Sequence, residues 1–325
     1  MAAAPPLRLN LTETFGIGYI GSVLSAILYG VTCIQTFHYF RAAGKDPLII
    51  KSLVFVLLLL DTAHQALITE LVYHYLVENF ANPLELLHNI RTIAVEIIVN
   101  AVIAFLVECF LVARVWVLSG KNKIMSVVCG VLTVAHLVMN VVFPVKTMAY
   151  SNIITGAERL RTFGTAGLGV AVVTDVCISA TLCYYLQKGR TGFRRSDDII
   201  TKLIALTITT GLLSTLFVIA NLVALVAAPE KLYSLFFNFM LGKLYINALL
   251  TSLNARAAIR NGQLTKSNVT NTLSNSFNHI ANVVPAGKGD AINVVVDVGS
   301  FTKTDSSPER GHMEMMKLGT SNEER

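Results

Sequence analysis

Residues 53–77 read Leu53-Val-Phe-Val-Leu-Leu-Leu-Leu-Asp61-Thr-Ala-His64-Gln-Ala-Leu-Ile-Thr-Glu70-Leu-Val-Tyr-His-Tyr-Leu-Val77. A helix rises about 1.5 Å per residue and the hydrocarbon core is roughly 30 Å thick, so this stretch is long enough to span a bilayer. It also places a carboxylate and an imidazole inside that span, one helical turn apart. The same segment therefore decides the fold and marks the first candidate functional residues.

Six further stretches of span length occur at 15–40, 93–118, 124–145, 165–186, 203–227 and 232–253. The composition of the 325 residues agrees: 54% are hydrophobic and only 14% charged, with a mean hydropathy of +0.61. Soluble domains carry about 25% charged residues, and so few charges cannot coat a soluble surface. We expect an all-α polytopic membrane protein with three parts. These are an extracellular N-terminus (1–14), a bundle of seven transmembrane helices (15–253) and a mostly disordered cytoplasmic tail (254–325). No connection between spans exceeds 19 residues, leaving no room for an extramembrane domain outside the tail.

Lys and Arg beside the spans set the orientation, because the basic side faces the cytoplasm. Fourteen lie on one side, among them Arg41, Lys51, Arg114, Arg194, Lys202 and Arg256, against six on the other, among them Arg8, Arg91 and Lys146. The N-terminus is then outside, where Asn10-Leu-Thr12 is an acceptor for N-glycosylation. The net charge of +6 thus follows from topology, and no nucleic-acid partner is expected. The N-terminus lacks a basic n-region and a small-residue cleavage site, so the first span acts as its own insertion signal. All five cysteines (33, 109, 129, 177 and 183) fall within spans, which points to packing thiols. The tail is rich in Ser, Thr, Asn and Gly, with one strand-like island at Ile292–Val298. Its Ser307-Pro308 pair is a candidate phosphorylation site.

Gly16-x-Gly18-x-x-Gly21 matches the dinucleotide fingerprint by letter, yet that motif needs a strand before it. Inside a span, small residues let helices approach closely, and Gly164, Gly167 and Gly169 are expected to act in the same way.

Ionisable groups at bilayer depth cost about 2.5–3.5 kcal/mol or more, so they face the bundle interior and find partners. Asp61, Glu96, Glu108, Asp175 and Lys243 form this set. Counting from the outer edge, Lys243 lies about 16 Å down, Asp175 about 15 Å and Asp61 about 18 Å. Three charges thus share one layer, and Lys243 pairs with Asp61 or with Asp175. Helical spacing adds His64 and Gln65 to Asp61, Asn100 to Glu96 and Ser179 to Asp175. Asn247, Thr251 and Asn254 extend a stripe from Lys243. Asp61, His64, Asp175, Lys243 and Asn247 are the candidate residues for binding a ligand or ion. A hydrogen-bond network that only joins helices fits the same residues. Zinc chemistry needs several convergent histidines, and His136 stands alone in the fourth span. A lysine in the seventh span would suit a retinal Schiff base, but the sole tryptophan, Trp116, is at the wrong end for an aromatic cage. No cofactor or catalytic residue is expected.

Several motifs carry a family resemblance. They are Leu28-Tyr29-Gly30-Val31 with Gln35, Asp61-Thr62-x-His64 with Tyr73-x-Tyr75, and Arg114-x-Trp116-x-Leu118-Ser119-Gly120. Thr174-Asp175, Arg190-Thr191-Gly192-Phe193 and Thr210-Gly211-Leu212-Leu213 follow. Last comes Lys243-Leu244-Tyr245-x-Asn247-x-Leu249-Leu250-x-Ser252-Leu253-Asn254-x-Arg256. The chain resembles a group of basidiomycete fungal seven-helix integral membrane proteins that carry a domain of unknown function. It departs from that pattern at Ala248 (Ser expected) and Glu108 (Gln expected), which detracts from any role for either side chain. The resemblance implies seven membrane helices and no particular activity. The third span lacks an Asp/Glu-Arg-Tyr triplet and the seventh an Asn-Pro-x-x-Tyr motif, which argues against a mainstream rhodopsin-like receptor.

An intramembrane enzyme has the least support, and two functions stand ahead of it. One is a receptor-like or sensory protein, by default of the plasma membrane. It would bind a small-molecule ligand in a polar core and signal to a cytoplasmic partner through residues 187–202 and the tail. The alternative is a transporter or channel moving a proton or small solute past Asp61, Asp175 and Lys243. Membrane lipid is the common partner of both.

Overall fold

The computed structural model describes residues 16–44, 46–79, 88–190, 194–227 and 233–260. Asn10, Ser307 and the Ile292–Val298 island lie outside the described residues, as does the tail beyond Arg260.

The described chain is helical: α1 (Ile17–Ala42), α2 (Leu48–Tyr73), α3 (Arg91–Leu118), α4 (Lys123–Thr147), α5 (Ile153–Arg159), α6 (Arg161–Lys188), α7 (Arg194–Ala227) and α8 (Tyr233–Arg260). Pro47 precedes α2 with an extended backbone, as expected of a residue that can open a helix but not continue one backwards. A wider π-type turn extends α2 through His74–Glu78, where the Tyr75 hydroxyl donates to the His88 carbonyl at 2.6 Å. Gly120 and Lys121 both take φ of 66°, which makes the short reversal between α3 and α4. The Asn122 side chain then caps α4 by accepting from the Ile124 amide at 3.1 Å.

Six helices are long and apolar enough to cross a membrane: Ile17–Ala42, Leu48–Glu78, Arg91–Leu118, Lys123–Thr147, Arg161–Lys188 and Ile199–Ala227. Each of the first six expected spans maps onto one of them, with ends shifted by a few residues. The seventh, 232–253, maps onto α8, which is long enough at 28 residues but is not among the six. Its Asn238, Lys243, Asn247, Thr251 and Asn254 lower its apolarity. The helix also continues past Leu253 to Arg260, into the segment expected to be tail. The short α5 is an addition, too brief to leave a periodic trace in the sequence.

The long helices form a ring in the order α1, α2, α3, α4, α6, α7, α8, with α3 also touching α6 and α8 across the centre. The polarity of the bundle is inverted relative to a soluble domain. Ile27, Phe37, Ile49, Val127 and Leu212 are exposed on its flanks, whereas Asp61, His64, Glu96, Glu108 and Lys243 are fully buried. A surface of that kind is stable only against lipid or another apolar phase.

Helices α1 and α8 run side by side and parallel. A Cβ at Gly21 would stand 3.1 Å from the Phe236 Cα. Further along, Ser25 donates to the Phe239 carbonyl at 3.1 Å, Asn247 to the Leu28 carbonyl at 3.2 Å, and Asn254 to the Gln35 carbonyl at 3.0 Å. The small-residue expectation thus holds at Gly21. It also holds at Gly164, where a Cβ would come within 2.9 Å of Leu225. It fails at Gly18 and Gly169, which have open space beside them. All five cysteines are free.

Candidate functional site

The interior contains two buried polar clusters, both anchored on α8. The first begins at Lys243, whose ammonium donates to Asp61 Oδ1 at 2.6 Å, to the Asp61 carbonyl at 3.1 Å and to His64 Nδ1 at 3.3 Å. An ammonium has three protons and no acceptor, so all three are used. His64 Nδ1 must then accept, which leaves the ring proton on Nε2. That nitrogen is 2.8 Å from Glu96 Oε1. The other face of Glu96 is held by Asn238, whose amide nitrogen lies 3.1 Å from Oε1 and 3.0 Å from Oε2. Asn100 in turn donates to Asn238 Oδ1 at 2.9 Å. An unbroken hydrogen-bonded file therefore runs Asp61–Lys243–His64–Glu96–Asn238–Asn100, drawn from α2, α3 and α8.

The pairing follows from helix geometry. Asp61 and His64 are three residues apart and share a face of α2, and that face meets α8 at Lys243. With His64 neutral, the file carries one ammonium against two carboxylates. Lys243 and Asp61 compensate each other, and Glu96 is held by hydrogen bonds from His64 and Asn238 in place of water. Asp61 Oδ2 has no hydrogen-bond partner among the described residues, so the site retains unused acceptor capacity.

The second cluster lies on the opposite face of α8. The Tyr245 hydroxyl donates to Asp175 Oδ2 at 2.7 Å, and His136 Nδ1 is 2.6 Å from Glu108 Oε1. Asp175 is within electrostatic reach of both Glu108 and His136. Sequence reasoning leaves His136 without a partner and Glu108 without a role; the structure pairs them. Residue counting gives no signal for this pair, since it puts Glu108 about 10 Å deeper than His136. Asn238 carries no signal of its own in the sequence, although it is close in depth to Glu96.

Of the expected site residues, Asp61, His64 and Lys243 come together. Asp175 is held by Tyr245, and the two alternatives for Lys243 are resolved in favour of Asp61. Asn247 belongs to the α1–α8 seam. Its amide donates to the Lys243 carbonyl at 2.8 Å as well as to Leu28. Gln65 reaches α1 at the Ser25 hydroxyl, 3.0 Å away, which shares its one proton between Gln65 and the Phe239 carbonyl.

A cavity of about 100 Å³ lies at the end of the bundle where α1, α3, α6 and α8 begin. Its apolar wall includes Ile93, Ile97, Met139, Phe143, Leu168 and Leu225. Asn140, Asn221, Ser234 and Asn238 add polar groups. Asn238 is shared, so the cavity abuts the first cluster. None of Asp61, His64, Glu96, Asp175 or Lys243 lines it. Among the described residues, no group of three or more His, Cys, Asp or Glu side chains is arranged to hold a metal ion.

Residues 171–258 match a family of unknown function (DUF6534). The matched segment contains Asp175, Tyr245, Lys243 and Asn247, but not Asp61, His64 or Glu96. No curated protein and no solved structure matches the chain.

Proposed function

We propose that this integral membrane protein is receptor-like, binding a small molecule in the cavity and passing a change in helix packing to the opposite end of the bundle. One observation carries this reading. The ionic centre is closed, with Lys243 and Asp61 in contact and fully buried. The cavity stands to one side of that centre and, among the described residues, is joined to it by hydrogen bonds through Asn238. A ligand displacing Asn238 would disturb Glu96, His64 and then the Lys243–Asp61 pair that joins α8 to α2. This is a two-state device of the kind a sensor needs.

The topology belongs to the same proposal. Helix α8 runs parallel to α1 from Phe236 to Asn254, so a bilayer crossed by α1 also encloses α8 and gives seven spans. Basic residues then put the cavity outside and residues 187–202 with the tail in the cytoplasm, where a signalling partner would dock. Plasma membrane, glycosylation at Asn10, phosphorylation at Ser307 and a fungal source complete the proposal.

Ligand-dependent recruitment of a cytoplasmic protein, lost when residues 187–202 are deleted, tests the receptor reading. The transporter reading has one observation in its favour: Asp61, Lys243, His64 and Glu96 form a continuous file of titratable groups. Proton or solute flux in proteoliposomes that disappears in Asp61→Asn would select it and overturn the receptor.

A further inference from the structure

The cavity has a chemistry that restricts what it can hold. Its polar groups are amides and hydroxyls, and no charged side chain is among its lining residues. An ion entering it would lose its hydration without gaining a counter-charge, which is strongly unfavourable.

Three of the amides have capacity left over. Asn89 donates to the Thr147 and Tyr150 carbonyls, and its Oδ1 has no partner among the described residues. Asn221 is 2% exposed, and its Oδ1 accepts from Ser234 at 2.6 Å. Its amide nitrogen has no hydrogen-bond partner among the described residues, although the side chain lines the cavity. Asn140 spends its amide nitrogen on the His136 carbonyl at 3.0 Å, and its Oδ1 has no partner there either. The wall therefore offers a donor group in the Asn221 amide on α7 and acceptors in Asn140 Oδ1 on α4 and in Asn89 Oδ1 just before α3. Asn238 differs, since both its polar atoms are engaged by Glu96 and Asn100.

We propose that the cavity is a site for an uncharged molecule about the size of a single ring, with one hydroxyl, amide or similar group that both accepts and donates. The Asn221 amide would donate to that group and Asn140 Oδ1 would accept from it, with the ring against Ile97, Phe143 and Leu168. Volume sets the upper bound: at about 100 Å³ the cavity is smaller than the apolar one of about 150 Å³ that takes up benzene, so nothing larger than a single small ring fits. This ligand class rests on the cavity being the binding site of the proposed receptor, but its test does not depend on signalling.

The full-length protein in lipid nanodiscs is titrated with 4-fluorophenol, 4-fluorotoluene and 4-fluorobenzoate, with binding read by fluorine NMR. Saturable binding of 4-fluorophenol is expected. Asn221→Ala and, separately, Asn140→Ala should each weaken it roughly three- to tenfold, the value of one neutral hydrogen bond. 4-Fluorotoluene should bind more weakly than the phenol and be indifferent to both variants. Gly167→Leu, which projects a side chain into the cavity, should abolish both. The proposal is overturned if 4-fluorobenzoate binds as well as the phenol, if both asparagine variants bind the phenol like the wild type, or if Gly167→Leu leaves binding intact. Phenol binding with these dependences, but without partner recruitment, would sink the receptor reading and leave the site standing.

Discussion

Lys243 and Tyr245, two residues apart on α8, reach in opposite directions: the ammonium is 2.6 Å from Asp61 on α2 and the phenol hydroxyl 2.7 Å from Asp175 on α6. Two residues on a helix are separated by about 200° around the axis, so one short segment ties together both sides of the ring. The least apolar of the long helices is thereby the one most tightly bonded to its neighbours.

Removing one member of the Lys243–Asp61 pair leaves a buried charge uncompensated. Lys243→Met should destabilise the purified protein by about 3–5 kcal/mol, seen as a lower thermal unfolding temperature in detergent. The double variant Lys243→Met/Asp61→Leu should recover most of that loss. Wild-type stability and expression of Lys243→Met, beside complete loss in Asp61→Asn, would show that the pair does not act as a unit.

Tyr245→Phe deletes the donor to Asp175 and keeps the ring, so the cost should be about 1–3 kcal/mol, the penalty of leaving a buried acceptor unsatisfied. Asp175→Asn should cost less, because an amide oxygen still accepts from the tyrosine. Equal unfolding temperatures for Tyr245→Phe and the wild type would remove this bond from the account.

Glu108 is buried against His136 at 2.6 Å. Glu108→Gln preserves an acceptor for the imidazole and should be well tolerated. Glu108→Leu should be destabilising by about 1–3 kcal/mol, since His136 then loses its partner. Parallel melting of the two variants decides this, and a leucine as stable as the glutamine would indicate that the contact is dispensable.

Gly211 on α7 lies directly against Ser179 on α6, where an added Cβ would overlap the serine hydroxyl. Gly211→Ala should therefore lower stability, by the about 1–3 kcal/mol typical of overpacking. Adding Ser179→Ala should restore part of it, since the remaining contact to the Ser179 Cβ is 3.2 Å. Additive losses in the double variant would place the strain elsewhere.

The six apolar helices and the intramembrane charges are legible in the sequence because each rests on a one-dimensional property. Length and apolarity define a span, and a carboxylate within one must turn inward and find a partner. Depth is one-dimensional too, which is why Asp61, Asp175 and Lys243 can be assigned to one layer from residue counts alone. The same counting puts Glu96 and Asn238 within about 5 Å of one depth, but it separates Glu108 from His136 by about 10 Å. Neither pair is legible from the sequence, because a single histidine or asparagine in a span carries no signal without its neighbour.

Direction around each helix axis is a different matter, because it depends on which helices are neighbours in the ring. Asp61 and Asp175 stand at nearly equal depth, and only the packing of α8 between α2 and α6 gives Lys243 to the first and Tyr245 to the second. The cavity is likewise a property of packing, made where five helix ends leave Asn221 and Asn140 with unused hydrogen-bonding capacity. The amino-acid sequence by itself determined that the chain belongs in a membrane and that its interior carries charge. The tertiary structure alone decided which charges meet, since partner choice among groups at one depth requires the azimuth of every helix, and no run of residues encodes that locally.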